Sequence, residues 1–121
     1  MELAEIGKNI LTNCMNVKPG ENVLIVTDDE KYDIGQTLYQ AAKLLKAEAM
    51  LMTMPAREVS GQEPPAVVAA AMKAADVVIC PMKTSITHTR AKIEAAEAGA
   101  RIATMPGITE EMFAMGAMTA D

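Results

Sequence analysis

The sequence predicts an α/β fold, a three-layer sandwich in which helices cover both faces of a parallel four-stranded sheet. Short runs rich in Val, Ile and Leu alternate with longer segments whose apolar residues recur about every 3.6 positions. The short runs are almost continuously apolar, as in strands buried on both faces of a parallel sheet. No linker-like stretch divides the 121 residues. We therefore expect one domain over residues 1–121.

The first half of the chain predicts helix, strand, helix and strand. Residues 2–16 place apolar side chains on one helical face, and "KPG" ends that helix before the strand "NVLIVTD" at 22–28. An amphipathic helix follows over 33–46, with Asp33 as its cap. Met and Ala form strands poorly, so 47–55 is predicted as a strand from its place in the alternation.

The second half continues the alternation and gives the sheet its remaining strands. Its predicted segments are a polar loop at 56–65, a helix at 66–75, a strand at 76–81, a helix at 87–98 ended by Gly99, a strand at 100–106 and a helix at 107–118 capped by Thr109. Four parallel strands joined by crossover helices resemble Rossmann-like or flavodoxin-like topology.

Composition excludes several classes of function. The net charge is −5 and no basic cluster is interleaved with aromatic residues, so nucleic acid is not an expected partner. No apolar run reaches the ~18 residues that span a bilayer, and the start of the chain does not look like a signal peptide. We expect no membrane association and a cytoplasmic location.

One polar segment at the predicted ligand edge is "TSITHTR", which contains the single histidine of the chain. Ligands of open parallel sheets bind outside the carboxyl ends of the strands, where helices begin. Free N–H groups at a helix start favour an anion there. The candidate ligand-binding residues are therefore Thr84, Ser85, Thr87, His88 and Arg90. The alternative is that Ser85 or Thr87 only caps the helix.

No catalytic residue, metal site or cofactor is predicted within this chain. A metal at His88 would need carboxylates from Asp28, Asp29 or Glu63, because one imidazole cannot form a zinc site alone. Neither GxGxxG nor GxSxG occurs. Cys14 and Cys80 lack metal-ligand spacing, and Cys80 is predicted to be a small buried apolar residue.

Methionine is abundant, with eleven residues, many of them in "AMLMTM" (49–54) and "EEMFAMGAM" (110–118). These side chains either fill the core or form an adaptable apolar surface that packs on another body. For the second cluster we expect association, either with a missing carboxyl-terminal domain or with a second copy of the chain in a homo-oligomer.

Three segments together resemble a known family. They are "VKPGENVLIVTDD" (17–29), "GQEPPAVVAAAMKAADVVICP" (61–81) and "TSITHTRAKIEAAEAGARIATMPGITEEMF" (84–113). This order is similar to the amino-terminal domain of the leucyl aminopeptidases typified by aminopeptidase T, whose relatives include a dihydroxypyridine ring-cleaving dioxygenase.

The resemblance implies the amino-terminal part of a longer, two-domain metallopeptidase. In that family the metal ligands and catalytic residues lie in a carboxyl-terminal domain, so a divalent metal such as zinc or cobalt is expected there and this chain alone is expected to be an inactive hydrolase domain. The alternative is a free-standing domain for small-anion binding or assembly.

Overall fold

A computed structural model describes residues 3–59, 61–86 and 88–108. It contains four helices and four strands in these ranges: α1 (Leu3–Asn9), continued by a π-helical turn (Ile10–Cys14), β1 (Asn22–Asp28), α2 (Tyr32–Leu44), β2 (Glu48–Met54), α3 (Ala66–Ala74), β3 (Val77–Met82), α4 (Arg90–Glu97) and β4 (Arg101–Pro106). The predicted helix at 107–118 lies outside the described residues from position 109 onward.

The strands form one parallel sheet in the order β2-β1-β3-β4. This confirms the predicted α/β three-layer fold, and the order is that of the flavodoxin-like alternative. The two inner strands are buried on both faces, which explains their continuous apolar sequences.

Helices cover the two faces in pairs. α1 and α2 pack over the face that carries Val23 and Ile25 of β1, and α3 and α4 pack over the face that carries Leu24 and Val26. Alternate residues of one strand thus enter two separate aliphatic cores. Within the described residues no helix is long and apolar enough to cross a membrane.

The starts of two helices differ from their predictions. α2 begins at Tyr32, its cap position is Lys31, and Asp33 lies inside the first turn rather than capping it. α4 begins at Arg90 and is capped by Thr89, three residues later than the start predicted at 87. The Thr89 side chain accepts from Lys92 N–H at the start of α4, whereas Lys31 makes no side-chain cap bond at the start of α2.

Candidate functional site

The crevice expected to bind ligands lies between the carboxyl ends of β1 and β3. The chain leaves β1 toward β2 on one side and then returns across β1 to form β3 on the other side. Such a reversal of strand order is where open α/β sheets usually hold their ligands. The residues at this position are Asp28, which ends β1, and Lys83, which follows β3.

Asp28 is fully buried, and its carboxylate joins the two strand ends. Oδ2 accepts a 2.7 Å hydrogen bond from the backbone N–H of Lys83. Oδ1 accepts from the N–H groups of Glu30 and Lys31, at 3.1 and 3.0 Å. Buried charge is tolerated when it is satisfied in this way. We call this set of hydrogen bonds the Asp28 bridge. Through these bonds the carboxylate of Asp28 has a structural role.

Thr27 makes a second link across the same crevice. Its buried hydroxyl donates to the carbonyl oxygen of Pro81 at 2.9 Å. On its other side α2 comes very close, because a Cβ added to Gly35 would lie 2.8 Å from both Cβ and Cγ2 of Thr27. Gly35 therefore permits the close approach of helix and strand.

Lys83 carries the cationic side chain nearest the crevice, and carboxylates already surround it. Its Nζ lies 3.3 Å from Glu30 Oε2 and 4.0 Å from Glu58 Oε2. The hydrogen bond to Glu30, with the charges of Glu30 and Glu58, raises the pKa of Lys83, which therefore stays protonated. These ion pairs are solvent-exposed, so they hold the loops together only weakly.

A carboxylate of the chain itself occupies the amino terminus of α4. Glu63, in the loop before α3, accepts from the N–H of Arg90 at 2.7 Å and from that of Ala91 at 3.2 Å. Thr89 supplies the cap by accepting from Lys92 N–H, while its hydroxyl donates to Ile86 O at 2.6 Å. The N–H groups predicted to bind a small anion are thus already used by Glu63.

The predicted ligand-binding residues differ in their exposure to solvent. Thr84 and Ser85 are half-buried, His88 and Arg90 are exposed, and Thr87 lies outside the described residues. The Arg90 guanidinium is 3.9 Å from a carboxylate on its own helix. The segment does hold a neighbouring loop, since the Ser85 carbonyl accepts from the N–H of Gly61 at 2.9 Å. Its demonstrated contribution is to the packing of loops at this edge.

The carboxylates considered as metal ligands do not form a metal site. No group of three or more His, Cys, Asp or Glu side chains that could hold a metal ion occurs in residues 3–59, 61–86 and 88–108. Asp28 and Glu63 are bound to backbone amides, and Asp29 is exposed. Cys80 is buried as predicted, and burial raises the pKa of its thiol to about 12, so it is a poor ligand and nucleophile.

Sequence reasoning missed Asp28 and Glu63 as the residues that organise this edge. For Asp28 the sequence offers a weak local signal, because an aspartate stands at the end of a buried strand. No local signal exists for the second, because Glu63 lies 27 residues from Arg90, the residue whose amide it binds.

Comparison with known proteins identifies the relationship. The model of the NicX family, 2,5-dihydroxypyridine 5,6-dioxygenase, matches residues 2–121. The solved structure of 2,5-dihydroxypyridine dioxygenase from Pseudomonas putida KT2440 matches 86% of this chain with a TM-score of 0.69 and 19% identity. This chain spans 33% of that protein's length. No curated protein matches the chain.

These matches correct the resemblance to the aminopeptidase T family. The assignment to an aminopeptidase, and with it to a metallopeptidase or hydrolase, is wrong, because the matching family model and the matching structure are both dioxygenases. The alternative of a free-standing anion-binding or assembly domain gains no support from them either. Within the third of the segments on which the resemblance rested, the Ser85 carbonyl accepts from Gly61 N–H and the Thr89 hydroxyl accepts from Lys92 N–H.

Proposed function

Because the chain belongs to the NicX family of 2,5-dihydroxypyridine 5,6-dioxygenases, we propose that it is the α/β domain of an enzyme that opens a dihydroxylated pyridine ring with O₂. The match of the family model to residues 2–121 is the observation that carries this proposal. Dioxygenation between ring carbons 5 and 6 breaks that bond and adds both oxygen atoms to the substrate. One O₂ is consumed for each ring opened.

The chain acts in this proposal as one domain of a longer protein. It spans a third of the length of the matching dioxygenase, and its described residues do not fit a metal site. We therefore assign no step of the reaction to a metal held by these residues. A divalent metal bound outside them stays a prediction, as does its identity; zinc or cobalt was expected from the aminopeptidase resemblance.

The contribution of the domain is a rigid, polar edge next to the reacting centre. The Asp28 bridge fixes the ends of β1 and β3, and Glu63 fixes the start of α4 to the loop before α3. A rigid edge of this kind favours precise positioning of a catalytic group or substrate that packs against it. The absence of a nucleic-acid partner remains a prediction from the acidic composition, and a cytoplasmic location remains a prediction from the lack of a signal-peptide pattern.

The test measures oxygen uptake by the protein encoded by the whole reading frame that contains this chain. With 2,5-dihydroxypyridine and divalent metal we expect O₂ loss and substrate loss in a one-to-one ratio. The 121-residue chain assayed in parallel should show no turnover. Absence of ring opening by the whole protein overturns the proposed reaction. Metal-dependent turnover by the 121-residue chain overturns its assignment as a supporting domain.

A further inference from the structure

The outer edge of β2 carries none of the usual protection within the part of the chain that the structure describes. β2 pairs with β1 in regular register over all seven of its residues, and no described residue pairs with its other side. Natural proteins protect such edges with lysine, proline, bulges or a covering segment. The strand Glu48–Met54 contains no lysine or proline, and its one charge is at its first residue.

The face of β2 on the α3 side is also apolar and only partly covered. The register places Met50 and Met52 on the same face as Leu24 and Val26 of β1. Met50 is 42% exposed, whereas Met54, at the end of the strand, is 3% exposed. An open depression of about 280 Å³ lies beside Met50, and it is lined by Asn22, Leu24, Met50, Ala71, Ala74 and Ala75.

α3 extends this apolar surface beyond the sheet. Val67 lies one helical turn before Ala71, on the side of α3 that faces the depression, and it is 72% exposed. Lys73 is the only charged residue in α3. An exposed apolar strip that joins an unpaired strand edge is typical of a protein interface.

We infer that β2 pairs antiparallel with β2 of a second copy of this chain, so that two four-stranded sheets become one of eight strands. With a two-fold axis near Leu51, the β2 edges of the two copies lie side by side, and Met50 of each copy lies opposite Met52 of the other. Glu48 of each copy then lies opposite Met54, so the two carboxylates are far apart. Although the chain carries a net charge of −5, no like charges on the paired strands oppose each other.

The area of this edge suits a second copy. Seven residues of strand extend over about 23 Å, and helix layers about 10 Å above and below the sheet make the edge roughly 20 Å deep. Each copy would bury about 500 Å², or about 1,000 Å² in total, which reaches the lower limit of specific interfaces. Methionine side chains can fill the space between the two α3 helices, because they are long and flexible.

The test compares sedimentation of the 121-residue chain with that of charge variants at the same protein concentration. Met50→Lys and Met50→Glu place like charges on both sides of the axis, so each variant alone is expected to be a monomer where the wild type is a dimer. An equimolar mixture should regain the dimer, since opposite charges then face each other. Ile93→Lys is the matched control, because Ile93 is 49% exposed on α4, which covers β3 and β4 instead of β2.

Folding and association are separated by circular dichroism, which should show native helix content in all variants. A wild type that sediments as a monomer at high concentration overturns the inference, because another body then covers this edge. Loss of the dimer in Ile93→Lys to the same extent as in Met50→Lys, or a mixture that stays monomeric, also overturns it. None of these outcomes depends on dioxygenase activity, so failure here is distinct from failure of the proposed function.

Discussion

The Asp28 bridge makes a specific prediction about stability. Asp28→Asn keeps the shape of the side chain but replaces one carboxylate oxygen by an NH₂ group, which cannot accept a hydrogen bond from an N–H. At best the variant loses the 2.7 Å bond from Lys83 N–H and keeps the two bonds on Oδ1. A hydrogen bond to a charged group contributes about 1.5–3 kcal/mol. We expect Asp28→Asn to lower the free energy of unfolding by about 2 kcal/mol.

Asp28→Ala removes all three acceptor contacts of the bridge. The amides of Glu30 and Lys31 adjoin exposed residues and regain part of their hydrogen bonding from water. We therefore expect Asp28→Ala to lower the free energy of unfolding by about 3–4 kcal/mol, which is less than the sum for three separate hydrogen bonds. For a domain of this size 2 kcal/mol corresponds to a fall in Tm of roughly 8 °C.

The assay is urea unfolding followed by far-ultraviolet circular dichroism, since the chain has no tryptophan. Asp29→Asn is the matched control, because it makes the same chemical change one residue further along at an exposed position. All variants are compared at one protein concentration, so that association does not shift the midpoint. The bridge does not hold the strand ends together if the free energy of unfolding of Asp28→Asn is within about 0.5 kcal/mol of the wild-type value. The same conclusion follows if Asp28→Asn destabilises the chain no more than Asp29→Asn does.

Four further predictions test the packing of the domain. Gly35→Ala should lower the free energy of unfolding, measured in urea, by about 1–3 kcal/mol, because the new Cβ would lie 2.8 Å from Thr27. Alanine is usually about 1 kcal/mol more stable than glycine inside a helix, and a gain of that size would contradict the close approach. In a Cys14→Ser background Cys80 should resist thiol reagents at pH 8 until the chain unfolds, and rapid native labelling would argue against its burial. Burial raises the pKa of Cys80 to about 12, so between pH 9 and 12 the thiol ionises in the unfolded chain before it does in the folded one. The free energy of unfolding relative to Cys80→Ala should therefore be constant below pH 9 and fall by up to about 1.4 kcal/mol per pH unit above it. A free energy that stays constant up to pH 12 would refute the raised pKa. Glu63→Gln should lower stability by about 0.5–1 kcal/mol by removing the charge at the start of α4, and a salt-independent loss would mean that the charge is not responsible.

Most of the fold could be predicted because its signals are local. The strand predicted at 22–28 has the bounds Asn22–Asp28 in the structure, since burial on both faces demands an unbroken apolar run. β2 was predicted from its place in the alternation and is found at Glu48–Met54, where its mixed exposure explains its weak sequence signal. The parallel direction of the strands followed from the same alternation, because parallel strands require crossover connections, whereas the strand order β2-β1-β3-β4 was left open.

The chemistry of the edge could not be predicted, because the bonds that decide it join distant parts of the chain. Asp28 binds an amide 55 residues later, and Glu63 binds one 27 residues later. The sequence analysis considered Ser85 or Thr87 as the cap of α4, and the structure has Thr89 there. Thr89 takes the role because its buried hydroxyl also bonds to the carbonyl of Ile86, a contact that exists only once the loop has folded.

The two edges of the sheet that bear on function differ in what remains for a partner. At the carboxyl edge, buried carboxylate, hydroxyl and amide groups are satisfied by the chain itself, so a ligand that entered there would have to break the Asp28 bridge or displace Glu63. At the outer edge of β2 no described residue forms a strand pair, and the side chains beside the depression there include methionine and alanine. Binding at the side of the sheet therefore costs the domain none of its internal hydrogen bonds. The proposed dimer leaves both carboxyl edges uncovered by the second copy.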